Sequence, residues 1–178
     1  MAEPGRPQAG EYNAYYQKYI DLVPDHDIRM LLRVQLADTL ALLRPIAEAK
    51  AGHRYAEGKW SIKQVVGHLI DAERVFLYRA TCIARGDRTP LPSFDENKYV
   101  DGGNFDERTF YGLLAELEAA RASTAAFFQN LSDDAWRNLG IASTFDISVR
   151  ALAYIIAGHE LHHRAILAER YLSSAVAV

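Results

Sequence analysis

The chain of 178 residues is long enough for one domain with a single well-filled core. Hydrophobic residues make up 49% of it and charged residues 24%, the balance of an ordinary soluble globular protein. The formal net charge is −3 and the basic residues are scattered, so the sequence carries no electrostatic footprint for nucleic acid or for an anionic membrane.

The cysteine count and the lengths of the apolar runs indicate the cellular compartment in which the protein is expected. Cys82 is the single cysteine, so no intramolecular disulfide can form, in keeping with a reducing compartment. The first residues, MAEPGRPQAGEYNAYY, lack the apolar core of a signal peptide. No apolar run reaches the roughly 20 residues needed to cross a bilayer. These features predict a cytoplasmic protein with no membrane partner.

The N-terminal residues predict an extension outside the main domain. Residues 1 to 10 are rich in Pro, Gly and Ala and are expected to be disordered. Residues 12–23 carry four tyrosines at helix-like spacing and predict a short helix ended by Pro24. We therefore assign residues 1–24 to a partly disordered extension and residues 25–174 to the domain.

The first long helix is expected to start at a cap provided by Asp25 or Asp27 and to stop at Gly52. Pro45 lies inside this run and should kink or divide the helix, because proline lacks an amide N–H and its ring clashes with the preceding turn.

The second helix has the clearest start in the sequence. Ser61 and Gln64 form the S-x-x-Q pattern of a capping box, and Trp60 with Val65 stands at the positions of a hydrophobic staple. The helix is predicted to continue to about residue 84, where Gly86 is placed to end it.

A segment rich in turn formers, residues 86–105, follows the second helix. A loop of about 20 residues inside a compact domain is uncommon and often forms a lid or a binding loop. Within it, Asp95, Glu96 and Tyr99 are candidates to border a pocket, with a plain surface turn as the alternative.

Two more long helices complete the pattern. The third is predicted from a cap at Asp106 to about Asn130, followed by a short helical turn that contains Trp136, and the last starts at Ser148. No run of four to eight residues alternates in the way expected of a surface strand. Four long helices with one or two long connections predict an all-α four-helix bundle with long crossover connections, a fold that builds metal sites from inward-facing side chains.

The histidines of the last two thirds of the chain are the strongest functional signal. At about 100° per residue, His159 and His163 lie about 40° apart and one turn apart in height, within an apolar stripe. Buried imidazoles need partners for their nitrogens, which hydrogen bonds to backbone or water, or a metal ion, can supply.

His68, on the largely apolar face of the second helix, is the candidate third ligand. Three histidines supply three positions of a tetrahedral Zn²⁺ site, and water or substrate then takes the fourth, as in catalytic sites. Zn²⁺ and Ni²⁺ are the favoured metals, with Fe²⁺, Co²⁺ or Mn²⁺ as alternatives, because imidazole suits several of these ions.

A second pattern overlaps the same histidines. His159 to His163 read H-E-x-x-H, the zinc protease signature in which Glu160 would be the general base. Only fifteen residues follow His163, and Glu169 stands where the extended motif needs a histidine, so a protease is the less favoured interpretation. His162 points away from His163 and is expected at the edge of the site or in solvent.

Other polar residues near the histidines have structural alternatives. Asp71 and Glu160 could orient a histidine, although solvated surface carboxylates are the simpler interpretation. Cys82 lies about 21 Å along the helix from His68 and is expected to be a small core residue. Arg79, about 16 Å along, is expected to form a structural ion pair, with an anchor for an anionic substrate as the alternative.

The sequence also resembles the DinB/YfiT-like family. The resemblance rests on WSIKQVVGHLIDAERVF with His68, on AYIIAGHELHHRAIL with His159 and His163, and on the intervening PSFDENKYV. It covers roughly residues 27 to 172. It implies a four-helix bundle with long crossovers, a divalent metal on the three histidines and a homodimer.

The resemblance implies two kinds of activity. Family members include transferases and isomerases that use a low-molecular-weight thiol, and others described as metal-dependent hydrolases. The reacting group would then be a water or a thiolate on the metal, since the chain offers no convincing nucleophile of its own. A small-molecule substrate is expected, and the alternative is a metal-binding or stress-response module without turnover.

Overall fold

Four long helical segments form a four-helix bundle in the computed structural model, which describes residues 3–173. The α-helices are α1 (Gln17–Ile20), α2 (Ile28–Val34), α3 (Leu36–Leu43), α4 (Glu48–Ala51), α5 (Ile62–Ala84), α6 (Glu96–Gly102), α7 (Phe110–Gln129) and α8 (Val149–Ile166). The four long segments of the bundle are α2 together with α3, then α5, α7 and α8. Helix α5 packs against α7 and α8, and α2 packs against the same two helices, so α2 and α5 lie on opposite sides of the bundle. The predicted four-helix bundle is confirmed.

Local signals predicted most helix ends correctly. The Ser61 side chain accepts a hydrogen bond from the Gln64 amide at 3.0 Å, and the Gln64 side chain accepts one from the Ser61 amide, which closes the capping box of α5. Asp27 caps α2 and Ser148 caps α8 through their side chains. These ends could be predicted because a cap needs only residues within one turn of the helix.

The prediction that Asp106 caps the third helix is wrong. Thr109 is the cap of α7, and its hydroxyl accepts from the Gly112 amide. Asp106 instead accepts from the Ser61 hydroxyl at 2.5 Å and from Arg54 at 2.6 Å. The carboxylate is thus held by the start of α5, a contact between distant parts of the chain that helix-cap patterns do not report.

Pro45 divides the first long run as expected. Helix α3 ends at Leu43, two residues before the proline, and the chain resumes as the short helix α4, which Gly52 terminates. A further irregularity at Gln35 separates α2 from α3.

A β-hairpin, which the sequence did not predict, precedes α8. Strands β1 (Leu139–Ala142) and β2 (Phe145–Ser148) pair antiparallel, and the two residues between them, Ser143 and Thr144, have φ of 54° and 74°. Positive φ at both positions is typical of a type I′ turn, which Asn-Gly usually marks. With Ser-Thr in the turn and only four residues in each strand, the pattern gave no usable signal.

The segment 86–105 is not a continuous loop. It contains helix α6, whose cap Asp95 accepts from the amides of Asn97 and Lys98. Before α6, Leu91 exchanges backbone hydrogen bonds with Ile141 and Ser143 and so joins the hairpin. Turn-forming residues at both ends of this short helix concealed it in the sequence.

The N-terminal segment packs on the bundle. The predicted short helix is confirmed as a 3₁₀ turn followed by α1. Residues 3–10, for which disorder is expected, contact the bundle: Arg6 donates to the carbonyls of Ile20 and Val23, and Arg150 donates to the carbonyl of Pro4 at 3.0 Å. Residues 1 and 2, which share that expectation, lie outside the described part, and the boundary after residue 24 stays a prediction.

The core divides into two clusters along the bundle. One contains Phe76 of α5 and Ile156 of α8, and the other contains Val65 of α5 and Leu167 just after α8. The segment between these positions on each helix carries the histidines, so the candidate site lies where the two clusters meet. Within residues 3–173, no helix is both long and apolar enough to span a bilayer.

Candidate metal centre

Helices α5 and α8 bring His68, His159 and His163 together. One ring nitrogen from each histidine lies within 4.8 Å of the others. The Nε2 atoms of His68 and His159 are 3.0 Å apart, and the ring centroid of His163 lies 4.9 Å from that of His68 and 4.6 Å from that of His159. The three nitrogens therefore converge on one point between the helices.

The three imidazoles are held in their neutral form. Burial lowers the pKa of His68 to about 4. Burial, with the neighbouring histidines and Lys18, lowers the pKa of His163 to about 3 and that of His159 as well. Neutral imidazoles carry the free electron pairs that a divalent metal needs.

The hydrogen bonding of the cluster also fits a metal. His163 Nδ1 is buried and has no hydrogen-bond partner within the described residues. An unpaired buried nitrogen costs free energy, and coordination of this nitrogen to a metal would remove that cost. The donor set, three imidazoles and no carboxylate or thiol, suits Zn²⁺ or Ni²⁺.

Aromatic side chains surround the histidines. The Trp60 ring lies 4.8 Å from that of His68, and the rings of Tyr19 and Phe76 lie 5.3 Å and 6.0 Å from that of His159. They exclude bulk water from two sides of the cluster, which explains the lowered pKa values. Tyr19 comes from the N-terminal segment, and no local pattern in the sequence connects it with the site.

Glu160 is committed to a buried ion-pair network. Its carboxylate, 2% exposed, accepts from Arg121 at 2.5 Å, from Gln35 at 2.6 Å and from the Thr39 hydroxyl at 2.5 Å. Arg121 also forms a double hydrogen bond with Glu73. The interpretation of Glu160 as a solvated surface carboxylate is therefore wrong, and the paired carboxylate is poorly placed to act as a general base.

The remaining candidates lie at the edge of the site or away from it. His162 is half-buried, with its ring 5.3 Å from Tyr19 and 5.2 Å from His163, and it is outside the converging set. Burial raises the pKa of Asp71, whose carboxylate lies 3.9 Å from Arg74. Cys82 is half-buried against the apolar core.

Arg79 does not form the expected ion pair. Its side chain is buried and donates to the Pro92 carbonyl at 2.6 Å and to the Ser143 hydroxyl at 3.0 Å, and no carboxylate within residues 3–173 forms a salt bridge with it. Arg79 thus connects α5 to the segment before α6 and to the hairpin.

A cavity of about 230 Å³ opens beside His163. Asn97 of α6 lines it, so the segment 86–105 contributes one residue to the surroundings of the histidines. Tyr99 lines a different cavity together with Arg79 and Phe94, while Asp95 is engaged as the cap of α6 and Glu96 is exposed.

The approach of α1 to α8 depends on Gly158. A Cβ atom at this position would lie 2.0 Å from the carbonyl oxygen of Tyr19. We expect Gly158→Ala to displace α1 and to lower the free energy of unfolding by about 1–3 kcal/mol, the usual cost of overpacking. Urea unfolding measures this loss, and faster proteolysis within residues 12–23 would report the displacement.

Gly52→Ala is the matched control, because a Cβ atom there meets nothing within 4 Å. If Gly158→Ala is as stable as the control and its N-terminal segment as resistant to protease, the close approach is not a tight constraint.

Residues 31–167 match the family model described as the DinB superfamily. Among solved structures, YfiT from Bacillus subtilis, described as a probable metal-dependent hydrolase with an unusual four-helix bundle topology, is 17% identical with a TM-score of 0.71. That match covers 96% of this chain and 94% of YfiT. No curated protein matches significantly.

A second solved structure is that of the mycothiol-dependent maleylpyruvate isomerase, which is 15% identical with a TM-score of 0.68. The match covers 82% of this chain but only 61% of the isomerase. At these identities, the likeness to both structures shows a shared fold.

Proposed function

The chain belongs to the DinB superfamily, and on that premise we propose that it is an enzyme that depends on a divalent metal ion held by His68, His159 and His163. The observation that carries this proposal is the convergence of three neutral imidazoles, two buried and one half-buried, next to an open cavity. Zn²⁺ or Ni²⁺ is the proposed metal, with Fe²⁺, Co²⁺ or Mn²⁺ as alternatives.

The reaction class that we propose is transfer of a low-molecular-weight thiol or hydrolysis of a small substrate. A bound divalent ion supplies Lewis-acid chemistry, which lowers the pKa of a water or thiol ligand towards neutrality. Among the similar solved structures, YfiT is described as a probable metal-dependent hydrolase and another is a mycothiol-dependent isomerase, which supports these two classes.

The protein side chains have separate parts in this mechanism. The three imidazoles would hold the metal in place, while Tyr19 and Trp60 exclude water from two sides of the cluster. A substrate would reach the three histidines through the cavity beside His163. Because Glu160 is paired with Arg121, proton transfer through that carboxylate is not part of the proposal.

The alternative is a metal-binding module without turnover. That function would favour a site closed by a fourth protein ligand, for which Glu160 and His162 are the nearest sequence candidates. The first is paired within its buried network and the second is outside the converging set, so the contacts of the described residues support the enzyme.

The metal assignment predicts that the purified protein binds about one divalent ion per chain, and that His68→Ala and His163→Ala each lose it. Elemental analysis after dialysis and titration of the metal-free protein with Zn²⁺ measure both stoichiometry and affinity. His26→Ala is the control, since His26 is exposed and outside the cluster. Unchanged metal in both cluster variants would exclude the three-histidine site.

The reaction class is tested on the metal-loaded protein with a panel of low-molecular-weight thiols and an electrophile, and in parallel with ester and amide substrates. Metal-dependent loss of thiol supports the transferase, and metal-dependent hydrolysis supports the hydrolase. If neither rate exceeds that of the metal-free protein, the non-catalytic module replaces the enzyme.

We also propose that the protein is a homodimer that acts in the cytoplasm on a small molecule, as the family resemblance and the sequence imply. Light scattering of the purified protein measures the oligomeric state directly, and a mass of one chain would contradict the dimer.

A further inference from the structure

The cavity beside His163 has aromatic walls. Its lining contains three aromatic side chains, Tyr55, Trp60 and Tyr171, and two aliphatic ones, Val65 and Ile166. We call this 230 Å³ cavity the aromatic pocket. Flat apolar walls of this kind favour a ligand that presents a flat apolar surface.

The aromatic walls are held in place by the fold. The Tyr171 hydroxyl donates to the Trp60 carbonyl at 2.7 Å, which ties the residues after α8 to the turn before α5. The Tyr55 ring packs edge-on against that of Tyr171 at 4.8 Å, and the Arg170 guanidinium lies 5.6 Å from the centre of the Tyr55 ring. A pre-formed pocket binds a rigid ligand without a large ordering cost.

The charged side chains in and beside the aromatic pocket are positive. Lys59 is the charged side chain of its lining, and the lining contains no carboxylate. The Lys59 ammonium forms no salt bridge with any carboxylate of residues 3–173, unlike Lys63, whose Nζ lies 2.6 Å from Glu48. Arg170, above Tyr55, adds a second positive charge nearby. An anionic group on a ligand would therefore find an unpaired cation at the rim.

We infer that the aromatic pocket binds the substrate of the proposed metal-dependent reaction, and that this substrate is a compact aromatic molecule with a carboxylate. Its ring lies between the walls formed by Trp60 and Tyr171, its carboxylate pairs with Lys59, and its other end faces His163. The part of this inference that concerns the reaction rests on the proposed function. The part that concerns binding does not, because the aromatic walls and Lys59 are outside the three histidines proposed to hold the metal.

Binding of benzoate, benzyl alcohol and acetate to the metal-free and the zinc-loaded protein tests the inference. Benzyl alcohol keeps the ring and removes the charge, while acetate keeps the charge and removes the ring. Tryptophan fluorescence gives the readout, because Trp60 lines the pocket whereas Trp136 is 1% exposed in the core. We expect benzoate to bind more tightly than either analogue in both forms of the protein.

The variant Lys59→Met separates the charge from the shape of the pocket. It should weaken benzoate binding by about fivefold, the scale of a solvent-exposed ion pair, and leave benzyl alcohol unchanged. Lys50→Met is the control, since Lys50 is exposed and outside this pocket. Equal affinities for benzoate and benzyl alcohol, or equal benzoate binding by Lys59→Met and the wild type, would overturn the inference.

Two further outcomes separate this inference from the proposed function. Benzoate binding that requires zinc and is lost in His163→Ala but kept in Lys59→Met would place the carboxylate on the metal and overturn the inference alone. Charge-selective binding in a protein that holds no metal would overturn the proposed metal-dependent function and leave the pocket assignment standing.

Discussion

Replacing Arg121 with methionine is expected to lower the free energy of unfolding by about 3–5 kcal/mol. The Arg121 guanidinium lies 2.8 Å from Glu73 and 2.5 Å from Glu160, and these three side chains are 4%, 5% and 2% exposed. Methionine keeps much of the packing volume but leaves two carboxylates buried without their cation. Such charges are costly to keep away from water, and this makes the loss large.

Urea unfolding at neutral pH measures the effect, with Arg44→Met as the control. Arg44 pairs with Glu118, but these side chains are 60% and 44% exposed, so the control should lose about 0–1 kcal/mol. Adding Glu73→Gln and Glu160→Gln to Arg121→Met should recover part of the stability, because the buried charges are gone. A similar small loss in the Arg121 and Arg44 variants would mean that the buried network is not a stabilising ion pair.

The same network shows where sequence reasoning reached its limit. His68, His159 and His163 could be singled out because helical spacing places two of them on one apolar face, and a second apolar helix offered the third. The partner of Glu160, by contrast, is Arg121, 39 residues away on α7. Nothing in the local pattern of either helix distinguishes a paired buried carboxylate from a solvated one, because the distinction depends on which helices pack together.

The side chains that surround the histidines could not be predicted from the sequence, for a related reason. Tyr19 reaches His159 because Gly158 lets α1 approach the backbone of α8, a contact between segments far apart in the chain. Trp60 was assigned to a hydrophobic staple from its place before Ser61, yet its ring also lies against His68. The sequence thus singled out the three histidines that the structure brings together, while the side chains packed around them could be identified only in the folded structure.

The metal-free protein is expected to lose stability as the pH falls below about 6.5. The pKa of His68 is lowered to about 4 and that of His163 to about 3 in the folded state, and the pKa of His159 is lowered too. The unfolded chain therefore binds more protons in this pH range, so protonation favours unfolding. Each histidine should remove about 1.4 kcal/mol per pH unit until its folded-state pKa is reached.

Urea unfolding at pH 7, 6 and 5 in the presence of a chelator measures this slope. Carboxyl groups with lowered pKa values, such as Glu11 and Asp27, start from ordinary values of 4.5 and 3.8 and contribute mainly at lower pH. His68→Gln should reduce the slope by one histidine's share. A metal-free protein that is equally stable at pH 7 and pH 5 would contradict the burial of neutral imidazoles, and with it the physical basis on which the cluster is assigned to a metal.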